Sequence, residues 1–344
     1  MVVVLGDMHI GARKSSPAFH DYFGKSIDNM FDFMEDRGIK HILQVGDMFD
    51  VPSHLTTFAS NFIKERFLNE LVRRKIELLV IIGNHDCYYR DKTSLNTVSE
   101  VLVPYNNPKF NIITSPQDVN FGGIDFACFP WICRETQKET EELLKNSKAS
   151  VAVGHFEFLG FEYHRGTLST AGHVHTDYGR FDKVISGHYH THSIRDNVHY
   201  TGTPYELTWV DYKDPKGFWV FDGKNMERVK NNKSMFHVWD YPQEFTKDDI
   251  HGGIHRIRVD SSSAKTKEFG EYRERMMGFS PIEDIKVLET NEDVVTETAI
   301  DSVVPRTQID YVSSYIKSNG IQDGDAVLKE MSDIFDQLGN YDFV

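Results

Sequence analysis

A chain of 344 residues exceeds the ~250–300 that one hydrophobic core usually organises, so one large domain with appendages is expected. Hydrophobic residues at 40% and charged residues at 26% exclude wholesale disorder; no apolar run approaches the ~20 residues that span a bilayer, and Met1–Leu5 runs straight into acid, which argues against a signal peptide and for a cytoplasmic location. The net charge of −14 is uneven, since residues 287–344 hold 12 acids and 3 bases, so the rest is only mildly acidic and anionic substrates are not excluded.

Short apolar runs alternate with longer amphipathic stretches through the first two thirds, the pattern of layered α/β structure. Strands are expected at Val2–Leu5, His41–Val45, Leu78–Ile82, Ile124–Phe129, Val151–Val153 and Val184–Ser186. The segments Pro17–Arg37 and Thr56–Arg74 are long enough to be helical crossovers between the first three strands, which makes those strands parallel. Val198–Thr201 and Gly217–Phe221 follow at shorter spacing and read as hairpin-like strands. The fold class expected is α/β, a two-sheet sandwich flanked by helices.

The strand rhythm fades near Asn231–Ser234, which sets a catalytic domain at 1–235. Residues 236–289 read as a small α+β unit, 290–305 as an acidic linker and 306–344 as a helical tail. In the tail, Val327, Leu328, Met331, Ile334, Phe335 and Leu338 keep helical spacing and form an apolar stripe. Cys87, Cys128 and Cys133 are too few, and odd in number, for a disulfide framework; each reads as a small buried hydrophobe in a reducing compartment.

Five apolar runs end in a glycine-containing turn that presents a metal-capable side chain: Val2–His9, Ile42–Asp50, Leu78–Asp86, Val151–His155 and Val184–His190. Strand carboxyl ends line one edge of an open α/β sheet, so the five turns can converge. They deliver Asp7, His9, Asp47, Asn84, His155, His188 and His190. One Gly-Asp turn alone is more simply a capped turn, and a lone Gly-His is weaker still; five in succession are not explained by turn chemistry. Oxygen ligands mixed with imidazoles suit Mn²⁺, Fe or Zn²⁺ better than Ca²⁺, and the absence of thiolates at the turns argues against structural zinc. Seven ligands are too many for one ion. Two ions sharing a carboxylate would use the set and clamp the oxygens of an in-line phosphoryl displacement.

These motifs, in order from Asp7 to His190, resemble the calcineurin-like metallophosphoesterase superfamily, and the whole chain resembles the nuclease subunits of the SbcCD and Mre-eleven/Rad-fifty type, above all those of tailed phages. The resemblance implies one metal held by Asp7, His9, Asp47 and His190 and another by Asp47, Asn84, His155 and His188. It implies Mn²⁺, with Mg²⁺ as the alternative, and a catalytic role for His85 at the scissile phosphate. Gly202-Thr203-Pro204 with Tyr205 and Trp209 looks like the segment after the last metal motif of these nucleases. Val51-Pro52 stands where Ser/Thr protein phosphatases carry Arg-Gly, and Asp86 where they carry Glu. A second Gly-His-x-His, Gly172–His175, lacks a preceding apolar strand, so His188 and His190 are preferred and His173 and His175 are expected on a loop; His54 and His192 are expected at the surface or around the phosphate.

By the same resemblance, residues 236–289 form a capping domain that helps hold DNA. Its Arg256, Arg258, Lys265, Lys267, Arg273, Arg275 and Lys286 read equally well as a solvated mixed-charge surface. Residues 306–344 would grip an SMC-like ATPase of the SbcC/Rad-fifty type, in a complex built on a homodimer. The function expected is a DNA nuclease, exo or endo, of a recombination and repair complex. A phosphatase or small-molecule phosphodiesterase and a DNA-binding adaptor without catalysis are the alternatives.

Overall fold

The computed structural model describes residues 1–250, 252–279 and 286–289. Two six-stranded sheets form its centre. In the first, Val2–Leu5, His41–Gln44, Glu77–Ile81 and Phe110–Ile113 run parallel, and Gly217–Phe221 with Met226–Lys230 extends the sheet antiparallel beyond Val2–Leu5. In the second, Ile124–Phe129, Val151–Gly154, Lys183–Ser186 and Val198–Tyr200 are parallel, with antiparallel edges Gln117–Phe121 and Ser193–Arg195. Both late strands expected from sequence therefore sit in hairpins, but Val198–Tyr200 is also a parallel neighbour of Lys183–Ser186.

The unbroken apolar runs follow from cover on both faces. Side chains alternate across a strand, so Val2, Val4, Leu43 and Leu79 face Phe126, Cys128, Val153 and Ile185 in a core between the sheets. Val3, Leu5, Ile42 and Leu78 pack outward on Phe19, Phe23, Ile27 and Phe67. The last four come from the crossover helices. Pro17–Asp36 is one continuous helix with proline in its first turn, where the missing N–H costs nothing. The second crossover, expected as a single run, is Thr57–Ile63, a π-helical turn Lys64–Leu68, and Asn69–Arg74. Thr56 caps it by accepting from Ala59 N at 3.1 Å.

Past Ser234, strands Phe236–Asp240, Ile254–Val259 and Lys286–Glu289 form a separate parallel sheet beside helix Lys267–Phe279. Trp239, Ile257, Phe269, Tyr272 and Met276 give it a core of its own. Several of its basic residues are already engaged within the protein. Arg256 is buried and stacks over Trp209 at 3.8 Å, Arg258 pairs with Asp240 at 2.8 Å, and Arg275 with Glu244 at 2.9 Å. That favours the mixed-charge surface over an open phosphate-binding cluster. The acidic segment 290–305 and the tail 306–344 lie outside the described residues. Cys87 and Cys128 are buried as expected, whereas Cys133 is half-buried.

Candidate metal centre

All five glycine turns meet along one edge of the paired sheets. Tight backbone geometry makes this possible: His9, Asp47 and His188 each take a positive φ, of 45°, 53° and 86°, a conformation that stores strain in non-glycine residues. The turn glycines leave no room for a side chain, as two of them show. Gly46 sits at φ 100°, and a Cβ there would lie 2.2 Å from His155 Nδ1; a Cβ on Gly187 would lie 2.4 Å from Asp7 Oδ1.

The side chains fall into two groups that share Asp47. In the first, His9 Nε2 and His190 Nε2 are 3.0 Å apart; His190 Nε2 is 3.8 Å from Asp7 Oδ2 and His9 Nε2 is 3.8 Å from Asp47 Oδ2. In the second, Asn84 Oδ1 lies 3.0 Å from both His155 Nε2 and His188 Nδ1, and His155 Nε2 is 3.2 Å from Asp47 Oδ2. All are buried except Asn84, which is half-buried. All seven residues singled out in the sequence thus come together. His173 is exposed, and His175 pairs with Asp196 at 3.0 Å. His54 is exposed, and half-buried His192 packs tilted against Trp219, ring centroids 4.6 Å apart.

Backbone contacts orient this set. The Asp47 carbonyl accepts from Met8 N and His9 N, and Asp47 Oδ1 accepts from His85 N at 2.8 Å. The Asp7 carboxylate accepts from His188 N at 2.9 Å. His155 Nδ1 faces the Val45 carbonyl at 2.9 Å and donates to it, which leaves Nε2 as the ligating atom. Asp86, acceptor for Phe49 N and Gly83 N, ties the second and third turns together.

Two buried carboxylates beside four buried imidazoles supply the donor atoms for a divalent cation. Burial pushes Asp7 up to about 7, despite the opposing pull of His155. Burial pulls His155 down, but Asp47, Asp7 and the Val45 carbonyl outweigh it and carry the ring up to about 9. His9 likewise rises to about 9, burial being overcome by Asp50, Asp47 and Asp7. Asp47 Oδ2 is buried without a well-formed hydrogen bond. An orphaned carboxylate oxygen facing imidazole nitrogens fits divalent-cation ligation.

Four neighbours carried no decisive sequence signal. Asp50 Oδ1 lies 3.2 Å from His9 Nδ1; it stood in the second motif, but nothing there distinguished it from a turn residue. Trp131 packs against His188 with ring centroids 5.3 Å apart. Asp86 was legible as a motif residue but not as a tie between turns. Lys216, buried at 3% exposure, donates to the His190 carbonyl at 2.9 Å and pairs with Asp211 at 2.6 Å and Asp214 at 2.8 Å. A lysine 26 residues downstream of its target has no motif to announce it.

Residues 1–192 match the calcineurin-like phosphoesterase family. The chain belongs to that family. Its members bind divalent metals, and the paired Asp/His groups supply suitable ligand atoms. The chain is similar to exonuclease subunit 1 of Enterobacteria phage T4, with 34% identity over 244 residues and 70% of each chain covered. It is also similar to the SbcD component of the SbcCD nuclease of Staphylococcus saprophyticus, 24% over 256 residues and 66% of each chain. The DNA double-strand break repair protein Mre11 of Nanoarchaeum equitans is 23% identical over 260 residues, covering 65% of this chain and 66% of that one. Among the described residues, no helix is long and apolar enough to cross a membrane.

Proposed function

We propose that this phosphoesterase is a metal-dependent DNA nuclease, a subunit of a recombination and repair complex. The observation that carries the reading is the pair of buried donor groups hinged on Asp47, with half-buried His85 at their margin, its ring 4.8 Å from that of His9. Asp7, His9, Asp47 and His190 would hold one divalent ion, and Asp47, Asn84, His155 and His188 a second, with Mn²⁺ as the metal. Bound there, the ions supply Lewis-acid stabilisation of the charge that develops on the phosphate oxygens.

The protein's own part is positioning and proton handling. His85 Nδ1 is engaged with the Asp50 carbonyl at 2.8 Å, so the proton it exchanges with substrate resides on Nε2. Its backbone N–H is fixed by Asp47, which ties the catalytic ring to the shared carboxylate. An imidazole held this way suits proton delivery to the leaving oxygen of a phosphodiester.

The names of the relatives support DNA as substrate and a multi-subunit setting. In this reading residues 1–235 are the catalytic domain and 236–289 a capping domain. The acidic linker 290–305 leads to 306–344, whose apolar stripe docks on an SMC-like ATPase by helix-in-groove packing, with a homodimer at the centre of a cytoplasmic complex. Deletion of 306–344 is expected to abolish ATPase association while leaving Mn²⁺ binding intact. The test of function is turnover on duplex DNA, single-stranded DNA and a chromogenic phosphodiester, in Mn²⁺ and in EDTA. Cleavage of DNA that EDTA abolishes is expected; cleavage of the chromogenic ester with no cleavage of either DNA would refute the nuclease reading.

A further inference from the structure

Directly after Asp86 the chain forms a hairpin, Cys87–Tyr89 with Lys92–Asn96, that neither the metal ligands nor the catalytic histidine require. Both of its ends are rooted on the catalytic turn: Cys87 N donates to the Asn84 carbonyl at 3.3 Å, and Thr97 N to the Asp86 carbonyl at 2.9 Å. A second segment stiffens it from the side. The Glu135 carboxylate accepts from Thr93 N at 2.6 Å and Ser94 N at 3.0 Å, and Arg134 pairs with Asp91 in the turn. The hairpin is thus a rigid extension of the loop that carries Asn84 and His85.

What it presents is aromatic and exposed. Tyr88 is 38% and Tyr89 39% accessible, their rings meet edge to face at 4.9 Å, and Lys92 Nζ lies 5.7 Å from the Tyr89 ring centre. A single exposed tyrosine needs no explanation, but adjacent rings with a cation on a braced hairpin form a patch. Tyr88 is the third residue after His85, a reach of no more than ~11 Å at ~3.6 Å per residue. That ceiling corresponds to about three stacked nucleotide steps of ~3.4 Å.

We propose that this hairpin is a stacking platform for unpaired bases of the DNA strand being cut, with Tyr88 and Tyr89 meeting bases and Lys92 an adjoining phosphate. The proposal rests on the nuclease reading and adds a single-stranded or frayed end as the form of DNA that the site holds. Flat faces accept any base, so the platform confers strand form without sequence preference. A cation 5.7 Å from the Tyr89 ring centre puts a phosphate partner next to a base partner, which is why a nucleic acid suits this surface better than an apolar protein face.

The experiment is a cycle between ring and base. Affinity is measured in Mn²⁺ on the His85→Ala background for a single-stranded oligonucleotide and for the same strand made abasic near its end. Tyr88→Ala and Tyr89→Ala are each expected to weaken the intact strand ~10-fold, in line with ~1–3 kcal/mol per stacked base, and the abasic strand less than ~2-fold. Tyr88→Phe and Tyr89→Phe should restore binding, since the ring face is kept. Equal losses on both strands, or none on the intact strand in the double alanine variant, would overturn the platform. The unsubstituted chain's cleavage of DNA is scored separately: its absence sinks the nuclease reading, whereas normal cleavage with unaltered tyrosine variants sinks only the hairpin proposal.

Discussion

Lys216 Nζ lies 2.9 Å from the carbonyl oxygen of His190, so a buried ammonium fixes the backbone of a proposed metal ligand. The same carbonyl accepts from Thr203 N at 3.1 Å. Nearby, the Tyr205 hydroxyl donates to the Met8 carbonyl at 2.6 Å, one residue before His9. The segment 203–216 therefore holds from behind the two histidines whose Nε2 atoms stand 3.0 Å apart.

Removing that ammonium should cost stability and loosen the His9/His190 side of the centre. Lys216→Met leaves Asp211 buried, and Asp214 half-buried, without their partner, and a broken buried pair costs about 3–5 kcal/mol. Chemical denaturation of the metal-free protein reads the loss. Tyr205→Phe deletes one hydroxyl while keeping the ring stacked on Phe23 at 4.0 Å; it should lower affinity at one metal site by several-fold and leave the other unchanged. Unaltered binding of both ions in the two variants would deny the brace its positioning role.

Asp47 is the hinge between the two donor groups, so Asp47→Ala should weaken both metal sites, whereas His190→Ala and His155→Ala should each chiefly affect one. Calorimetric titration with Mn²⁺ distinguishes these patterns. Two ions bound by Asp47→Ala with native affinity would remove the bridging role.

Metal binding should also strengthen as pH rises. In the metal-free centre His9 and His155 stand near 9 and Asp7 near 7, so these groups still carry protons at pH 7. Ligation requires the deprotonated forms, and about two protons or more should be released on loading at pH 7. The release should fall toward zero above pH ~9, and the apparent affinity should climb between ~6 and ~9. Titrations in buffers of different ionisation enthalpy measure it directly; pH-independent affinity would contradict the protonation pattern.

The inner strands were legible because they are covered on both faces, which leaves runs such as Val2–Leu5 and Val151–Val153 without polar interruption; the edge strands Phe110–Ile113, Gln117–Phe121, Ser193–Arg195 and Met226–Lys230 were not, because their partly exposed residues break the apolar run. The candidate ligands were legible because each follows such a run at once, and that apolar context is what set His188 and His190 apart from His173 and His175. Lys216, Trp131 and the hairpin tyrosines were not, because their importance is set by contacts across the fold rather than by spacing along the chain. The π-helical turn at Lys64–Leu68 was missed for a related reason: one extra residue in a turn leaves the apolar periodicity almost unchanged.

His85 separates chemistry from metal binding, so its replacement isolates the chemical step. His85→Ala and the unsubstituted chain, each shown by titration to hold two Mn²⁺, are compared in single-turnover cleavage of labelled DNA. Mn²⁺-dependent cleavage by the unsubstituted chain is expected, with a ~10²–10⁴-fold slower rate in His85→Ala with both ions retained. Equal rates in the two proteins, or no DNA cleavage by the fully loaded unsubstituted chain, would contradict this expectation.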